Sequence, residues 1–203
     1  VPSPNYKLEE PHWLADRVVA GVDEAGRGPL AGPVVGAAVI LPPFCKIEVP
    51  RDSKRLTPQQ RERIFETLRE CAISIGIGVV GADEIDSINI LRASLKAMAI
   101  AVGRLTPPPD VVLVDGRMRI PVNFPDKVEQ IPIVKGDMLS CSIAAASVVA
   151  KVVRDRIMEV YHAIYPNYNF KRHKGYPTKE HKEAIRLYGV SSIHRKTFRG
   201  VGE

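Results

Sequence analysis

Cysteine is scarce in this chain, and long apolar runs and internal repeats are missing; each lack narrows what the protein can be. The three cysteines, Cys45, Cys71 and Cys141, show neither metal-ligand nor redox spacing. A disulfide-stapled secreted scaffold is therefore disfavoured, and a reducing, cytoplasmic setting is expected. No apolar run approaches the roughly 18 residues that a membrane-spanning helix needs. The opening Val1-Pro2-Ser3-Pro4-Asn5-Tyr6 has no apolar signal region. Without a repeat or a low-complexity tract, a solenoid or a linker-like chain is not expected.

What is present is enough sequence for one full hydrophobic core. The 203 residues are read as a single domain, 1–203, in which about 165–203 form a basic, helical C-terminal extension. The net charge of +6 is unevenly placed. Residues 151–203 carry twelve Lys/Arg against five Asp/Glu, whereas residues 1–150 carry seventeen against eighteen. His162, His173, His181 and His194 fall in that basic tail with Tyr165, Tyr168 and Tyr176. Basic residues interleaved with aromatic ones suit a nucleic-acid surface, although a solvated helical face has the same composition.

Val18–Val22, Val34–Leu41 and Ile73–Val80 are β-branched, apolar runs and are predicted strands. Between the second and third, Thr57-Pro58-Gln59-Gln60 combines an N-cap, a first-turn proline and a capping-box glutamine, which predicts a helix through Ile64, Phe65 and Leu68. Ile88, Leu91, Leu95, Met98 and Val102 mark one face of another helix, ended by Gly103 and Pro107-Pro108-Pro109. Val111–Val114 and Ile131–Val134 supply a fourth and a fifth strand. After Lys135-Gly136-Asp137, the series Leu139, Ile143, Ala146, Ala150, Val153, Ile157, Val160 and Ile164 predicts a long helix with a core-facing stripe. Alternating strands and helices imply an α/β layer architecture.

Four acidic residues share a position in this scheme. Asp23, Glu24, Asp115 and Asp137 each lie at or just past the end of a predicted strand, where α/β folds place their sites. Adjacent strand residues point to opposite faces, so Asp23 and Glu24 can serve one site only if the strand ends or bulges there, as Gly26 and Gly28 would allow. Carboxylates gathered at one place repel, which calls for hard divalent cations on oxygen ligands, Mg2+ or Mn2+. Two such ions suit phosphodiester hydrolysis. Arg27 adds planar donors for phosphate or sugar oxygens. Each residue also has an ordinary structural reading: Asp137 as a helix cap, Asp115 as part of an Asp-Gly turn. Asp155 is assigned to an i,i+4 pair with Lys151 rather than to the acidic group.

In order and content, these motifs resemble the bacterial ribonuclease HII family, the type 2 ribonucleases H, over nearly the whole chain. The resemblance rests on Asp23-Glu24-Ala25-Gly26-Arg27-Gly28, Leu30-Ala31-Gly32-Pro33-Val34-Val35, Asp52-Ser53-Lys54 with Leu56, and Ile88-Asn89-Ile90-Leu91. It continues through Val114-Asp115-Gly116, Lys135-Gly136-Asp137, Ile143-Ala144-Ala145-Ala146-Ser147 with Ala150-Lys151, His173-Lys174-Gly175-Tyr176, His194-Arg195 and Phe198. It implies an RNase H-like fold, a five-stranded mixed β-sheet flanked by helices with a helical C-terminal extension. It also implies cleavage of RNA in RNA–DNA hybrids, and incision 5′ of single ribonucleotides in duplex DNA that leaves 3′-hydroxyl and 5′-phosphate ends. A role in ribonucleotide removal from DNA follows.

By the same resemblance Asp23, Glu24, Asp115 and Asp137 are the metal ligands, while Gly26-Arg27-Gly28 and Tyr176 sense the ribose 2′-hydroxyl at the junction. That hydroxyl separates RNA from DNA without base reading. Lys54, Arg172, Lys174, Arg195 and Lys196 are candidates for phosphate contacts. The expected partners are RNA–DNA hybrid and ribonucleotide-containing duplex DNA, with no membrane and a monomeric chain. Arg117 after Gly116, and Met138-Leu139-Ser140-Cys141 after Asp137, depart from common family patterns without removing a ligand. Type 3 ribonuclease H shares the carboxylates but has Gly-Lys-Gly and usually an added N-terminal substrate-binding domain; Arg27 favours type 2. A non-catalytic binder and a DNA-strand-transfer enzyme of similar architecture are further readings, since shared folds do not fix function.

Overall fold

The computed structural model describes residues 4–45, 56–121 and 128–201. Its strands β1 (Val19–Ala25), β2 (Val34–Ile40), β3 (Ser74–Val80), β4 (Val111–Asp115) and β5 (Glu129–Ile133) form one sheet in the order β3-β2-β1-β4-β5. β1, β2 and β3 pair antiparallel, whereas β4 and β5 add in parallel on the other side of β1. The result is a five-stranded mixed sheet. Pro132, which cannot donate to a ladder, falls in β5, at the sheet edge.

The helices are α1 (Glu10–Trp13), α2 (Pro58–Cys71), α3 (Ala82–Ile88), α4 (Ile90–Val102), α5 (Cys141–Ile164), α6 (Phe170–His173) and α7 (Lys179–Tyr188). The strand period of two divides β1 between two cores. Ala20 and Val22 pack with Leu95, Met98, Val112 and Val114 under α4, whereas Val19 joins Leu113 and Ile143 on the α5 side. Burying each such Val or Leu contributes about 1.5–3 kcal/mol. Gly21 faces α5 so closely that a Cβ there would lie 2.1 Å from the Ser142 carbonyl carbon. That close approach brings the start of α5 onto the end of β1 where Asp23 stands.

Local signals account for most element boundaries. Thr57 and Gln60 form the expected reciprocal capping box, with the Gln60 N–H donating to Thr57 Oγ1 at 3.2 Å and the Thr57 N–H to Gln60 Oε1 at 2.8 Å. The helix expected over Ile88–Val102 is present from Ile90, while Ile88 ends a separate helix, α3, that the sequence reading did not predict. Asn89, at φ 67°, stops α3 and accepts the Arg92 N–H to start α4. Leu91 consequently turns outward, and Leu95, Met98 and Val102 carry the buried face.

α5 matches its expected stripe only in its first half. Cys141–Ala150 are buried throughout, including Ile143, Ala146 and Ala150. Leu139 precedes the helix and is exposed, as are Val160 and Ile164. Past Ala150 the helix buries Val152, Arg154 and Met158; Val152 still joins the core of Ala37, Val39 and Phe65, against which Val153 packs, whereas Met158 packs among Ala31, Tyr168, Phe170 and Ile193. The partner changes, so the buried face changes. Asp137 does not cap this helix: it sits in a 3-10 turn, Gly136–Met138, and Ser140 accepts the Ile143 N–H at 3.1 Å in the capping role.

Candidate active site

β1 does not end at Val22, as its sequence pattern predicts, but runs to Ala25 against β2. Its pairing with β4, by contrast, stops at Val22 and Val114. Asp23 and Glu24 therefore stand where the pairing with one neighbour strand has already ended. They point to opposite faces and still line one cavity of about 240 Å³, together with Gly26, Arg27, Gly28, Asp115, Asp137 and Tyr176. Glu24 and Asp115 also line a second cavity of about 290 Å³ under α4, with Leu91, Met98, Arg117 and Met118. The truncated pairing does what a strand end or bulge was expected to do.

Asp23 is 6% exposed, accepts the Glu24 N–H at 2.7 Å and hydrogen-bonds Ser147 on α5. Burial first, then the charges of Glu24 and Asp115, hold its carboxyl well above the usual carboxylate range. Asp115 accepts the Gly136 N–H at 2.7 Å, which ties the end of β4 to the turn that carries Asp137. Arg27 Nη1 lies 3.4 Å from Glu24 Oε1. Ser147 and Lys151 also line this cavity; sequence reasoning placed neither in the site, giving Lys151 only its pair with Asp155. The signal was a hydroxyl at the end of an alanine run, one turn before a lysine.

The donor set is made of carboxylate and hydroxyl oxygens, with no thiol or imidazole, and that chemistry fits a hard divalent cation. Among the described residues no group of three or more His, Cys, Asp or Glu side chains is drawn together as a closed metal cage.

The Gly26-Arg27-Gly28 turn is carried from behind by two buried arginines. Arg195 donates to the carbonyls of Gly26 at 2.6 Å, Arg27 at 3.1 Å and Gly32 at 3.0 Å. Arg154 donates to Pro33 and Ala31 at 3.0 and 3.2 Å. Gly26 has φ +103°, and a Cβ there would lie 2.2 Å from Arg154 Nε. Burial pulls both guanidinium groups down, to about 10 for Arg154 and about 9 for Arg195, so both stay cationic at neutral pH. Tyr176, 41% exposed, closes the other side of the cavity, and a Cβ on Gly28 would lie 3.8 Å from its Cε1.

A family model described as Ribonuclease HII matches residues 20–201. The chain belongs to the ribonuclease HII family. Ribonuclease HII of Syntrophus aciditrophicus is 56% identical over 183 residues, covering 90% of this chain and 84% of its own. That of Acetivibrio thermocellus is 54% identical over 190 residues, covering 94% and 73%. The crystal structure of ribonuclease H2 from Pyrococcus horikoshii matches with a TM-score of 0.77 at 30% identity, over 91% of this chain and 95% of that one. The fold is RNase H-like, and the chain is a type 2 ribonuclease H.

The basic tail differs from its sequence reading. Arg195 is fully buried and serves the Gly-Arg-Gly turn, so it is no phosphate ligand. His173, His181 and His194 are buried as well, and burial pushes the last two down to about 4. They add no positive surface at neutral pH. Arg172 and Lys174 are ion-paired, at 3.3 Å to Glu180 and 2.8 Å to Glu159. The exposed Lys196 donates its backbone N–H to Asp86. Lys151 and Asp155 form the expected pair at 2.6 Å, and Asp155 does not line the Asp23 cavity. Lys54, with Asp52 and Ser53, lies outside the described residues. No helix among the described residues is long and apolar enough to cross a membrane.

Proposed function

We propose that the chain hydrolyses the RNA strand of RNA–DNA hybrids and incises 5′ of a single ribonucleotide in duplex DNA, leaving 3′-hydroxyl and 5′-phosphate ends. The observation that carries this reading is the shared cavity: Asp23, Glu24, Asp115 and Asp137 line it together with Gly26-Arg27-Gly28 and Tyr176. The four carboxylates are the residues that would hold two Mg2+ or Mn2+ ions. When bound, such ions supply the charge that activates water and stabilises the leaving 3′-oxygen.

The remaining work falls to the chain. The Gly26-Arg27-Gly28 turn, exposed at Arg27 and Gly28, offers main-chain donors to the ribose 2′-oxygen and a guanidinium to phosphate. Tyr176 packs against the neighbouring deoxyribose, where a second hydroxyl fits poorly. Lys151 and Tyr176 also belong to a cleft of about 430 Å³ lined by Arg61, Arg156, Lys171, Arg172 and Lys174. That cleft offers phosphates a sequence-independent track, on which they displace the Glu62, Glu159 and Glu180 partners of Arg156, Lys174 and Arg172. Contacts of this kind weaken with salt.

The test is incision of a DNA duplex containing one ribonucleotide, with Mg2+, Mn2+ or chelator, beside an all-DNA duplex and an Asp23→Asn control. A metal-dependent nick 5′ of the ribonucleotide, absent from both controls, is expected. Cleavage of long hybrids alone removes the junction roles of Arg27 and Tyr176 and leaves the carboxylate assignment. No cleavage by folded protein supplied with either ion overturns the reading.

A further inference from the structure

Three buried histidines, His173, His181 and His194, have no part in the chemistry proposed above. They form one aromatic stack behind Tyr176. His173 and His181 lie with ring centroids 4.5 Å apart and planes 18° apart, His181 and His194 lie 5.2 Å apart, and Phe170 packs edge-on to His173 and His181.

Their backbone partners fix every proton. An N–H can only donate and a carbonyl can only accept. The Ser191 N–H lies 2.9 Å from His194 Nδ1, with its hydroxyl at 2.8 Å, so Nδ1 accepts and the ring proton of His194 is on Nε2. That nitrogen is 3.0 Å from His181 Nε2. At the far side, His181 Nδ1 lies 3.0 Å from the Tyr176 carbonyl, so it donates there and its Nε2 is free to accept. The two assignments agree. A single directed chain runs from the Ser191 N–H through His194 and His181 to the Tyr176 carbonyl, and it requires both rings neutral. His173 obeys the same rule: its Nδ1 accepts the Gly175 N–H at 3.2 Å and its Nε2 donates to the Tyr168 carbonyl at 2.7 Å.

The Gly175-Tyr176 main chain is thus gripped by five hydrogen bonds. The remaining three are the Tyr176 N–H, donating to the His173 carbonyl at 2.9 Å, the Thr178 N–H, donating to the Tyr176 carbonyl beside His181 at 2.8 Å, and the Gly175 carbonyl, accepting the Leu30 N–H at 2.8 Å. The last contact joins this segment to the loop that follows Gly28. The Tyr176 ring itself is loosely held, with Arg154 and Lys151 5.8 and 6.0 Å from its centroid. Its place over Gly28 is set from the main chain.

We propose that His181, oriented by His194, is a positioning residue that fixes Tyr176 over Gly28 and thereby sets the preference for a single-ribonucleotide junction. This rests on the junction role proposed for Tyr176. The relay touches Tyr176 through its carbonyl, so its loss acts on junction recognition and leaves the carboxylates in place.

The experiment measures kcat and KM on two substrates, a duplex with one ribonucleotide and a long RNA–DNA hybrid, for His181→Leu, His181→Asn, His194→Ala and Tyr176→Ala, with thermal melts of each. Asn places an amide donor where Nδ1–H was; Leu fills the site without one. His181→Leu is expected to lower the junction-to-hybrid ratio of kcat/KM roughly tenfold, the worth of about one hydrogen bond. His181→Asn is expected to restore most of that ratio, and His194→Ala to lower it by a smaller factor. In combination with Tyr176→Ala, His181→Leu is expected to add no further loss of ratio. Equal losses on both substrates, no rescue by Asn, or an unchanged ratio in folded His194→Ala overturns the proposal. If Tyr176→Ala itself leaves the ratio unchanged, the junction role of Tyr176 fails first, and the relay proposal falls with it.

Discussion

The acidic end of the sheet and the histidine stack behind Tyr176 bury titratable groups in opposite ways. At the sheet end, Asp23 is buried beside Glu24 and Asp115, and its carboxyl is pushed up. In the stack, His181 and His194 are buried among aromatic rings and main-chain polar groups, and both are pushed down to about 4. On the function proposed above, the first arrangement leaves a charge problem that a divalent cation would resolve. The second leaves none, because neutral imidazoles satisfy one another and the backbone. One region gathers like charges and the other holds neutral, hydrogen-bonded rings. Falling pH therefore relieves Asp23, whose folded pKa is raised, and strains the histidines, whose folded pKa values are depressed.

The sharpest break of this comparison is Asp23→Asn. It is expected to cut metal-dependent incision by roughly 10²–10³-fold or more, on the scale of losing a main electrostatic contributor, and to raise the melting temperature by removing a buried charge among like charges. Incision assays and calorimetry on one preparation check both; a variant that is slower and also less stable would contradict the strain assigned to Asp23. Next in size is Arg195→Met, which strips the donors from the carbonyls of Gly26, Arg27 and Gly32. Unsatisfied buried groups cost about 1–3 kcal/mol each, so denaturant unfolding should show a loss of several kcal/mol, with incision weakened on both substrates.

The histidine side is tested by pH. The stability that the neutral rings contribute is complete above about 6.5 and is lost as pH falls toward about 4, the folded value for His181 and His194. Melting temperatures across that window should drop more steeply for the unchanged protein than for His181→Asn. Parallel curves would mean the rings are not the groups taking up protons. The smallest effect on the fold is expected from Tyr176→Ala. The residue is 41% exposed, so stability should move by no more than about 0.5 kcal/mol. Junction incision should nevertheless weaken more than hybrid cleavage does.

These contrasts explain what could be read without coordinates. The strand runs around Val22, Val34, Ile75 and Val114 announced themselves, because apolar β-branched residues bounded by glycine and proline admit few other structures. Thr57 and Gln60 announced the start of α2 for a similar reason: a capping box involves only neighbours in sequence. The acidic group was legible as four carboxylates at strand ends. What was not legible depended on which element ran out first. β1 continues to Ala25 while its pairing with β4 stops at Val22, and that mismatch places Asp23 and Glu24 on opposite faces of one opening. No local pattern encodes it.

The same division holds for the tail. Its excess of Lys and Arg is a property of the sequence, but Arg195, His181 and His194 are as buried as any valine of the core. A cation or an imidazole can be interior when main-chain carbonyls and aromatic faces replace its water, and those partners come from residues far apart in the chain, such as Gly26 for Arg195. The sequence by itself determined the five strands, the main capping signals, the family and the set of candidate carboxylates, because these follow from neighbours and from motifs. Only the tertiary structure decided which basic residues face solvent, which face of α5 is buried beyond Ala150, and how Tyr176 is held over Gly28. Those depend on contacts between distant segments, and no local pattern carries that information.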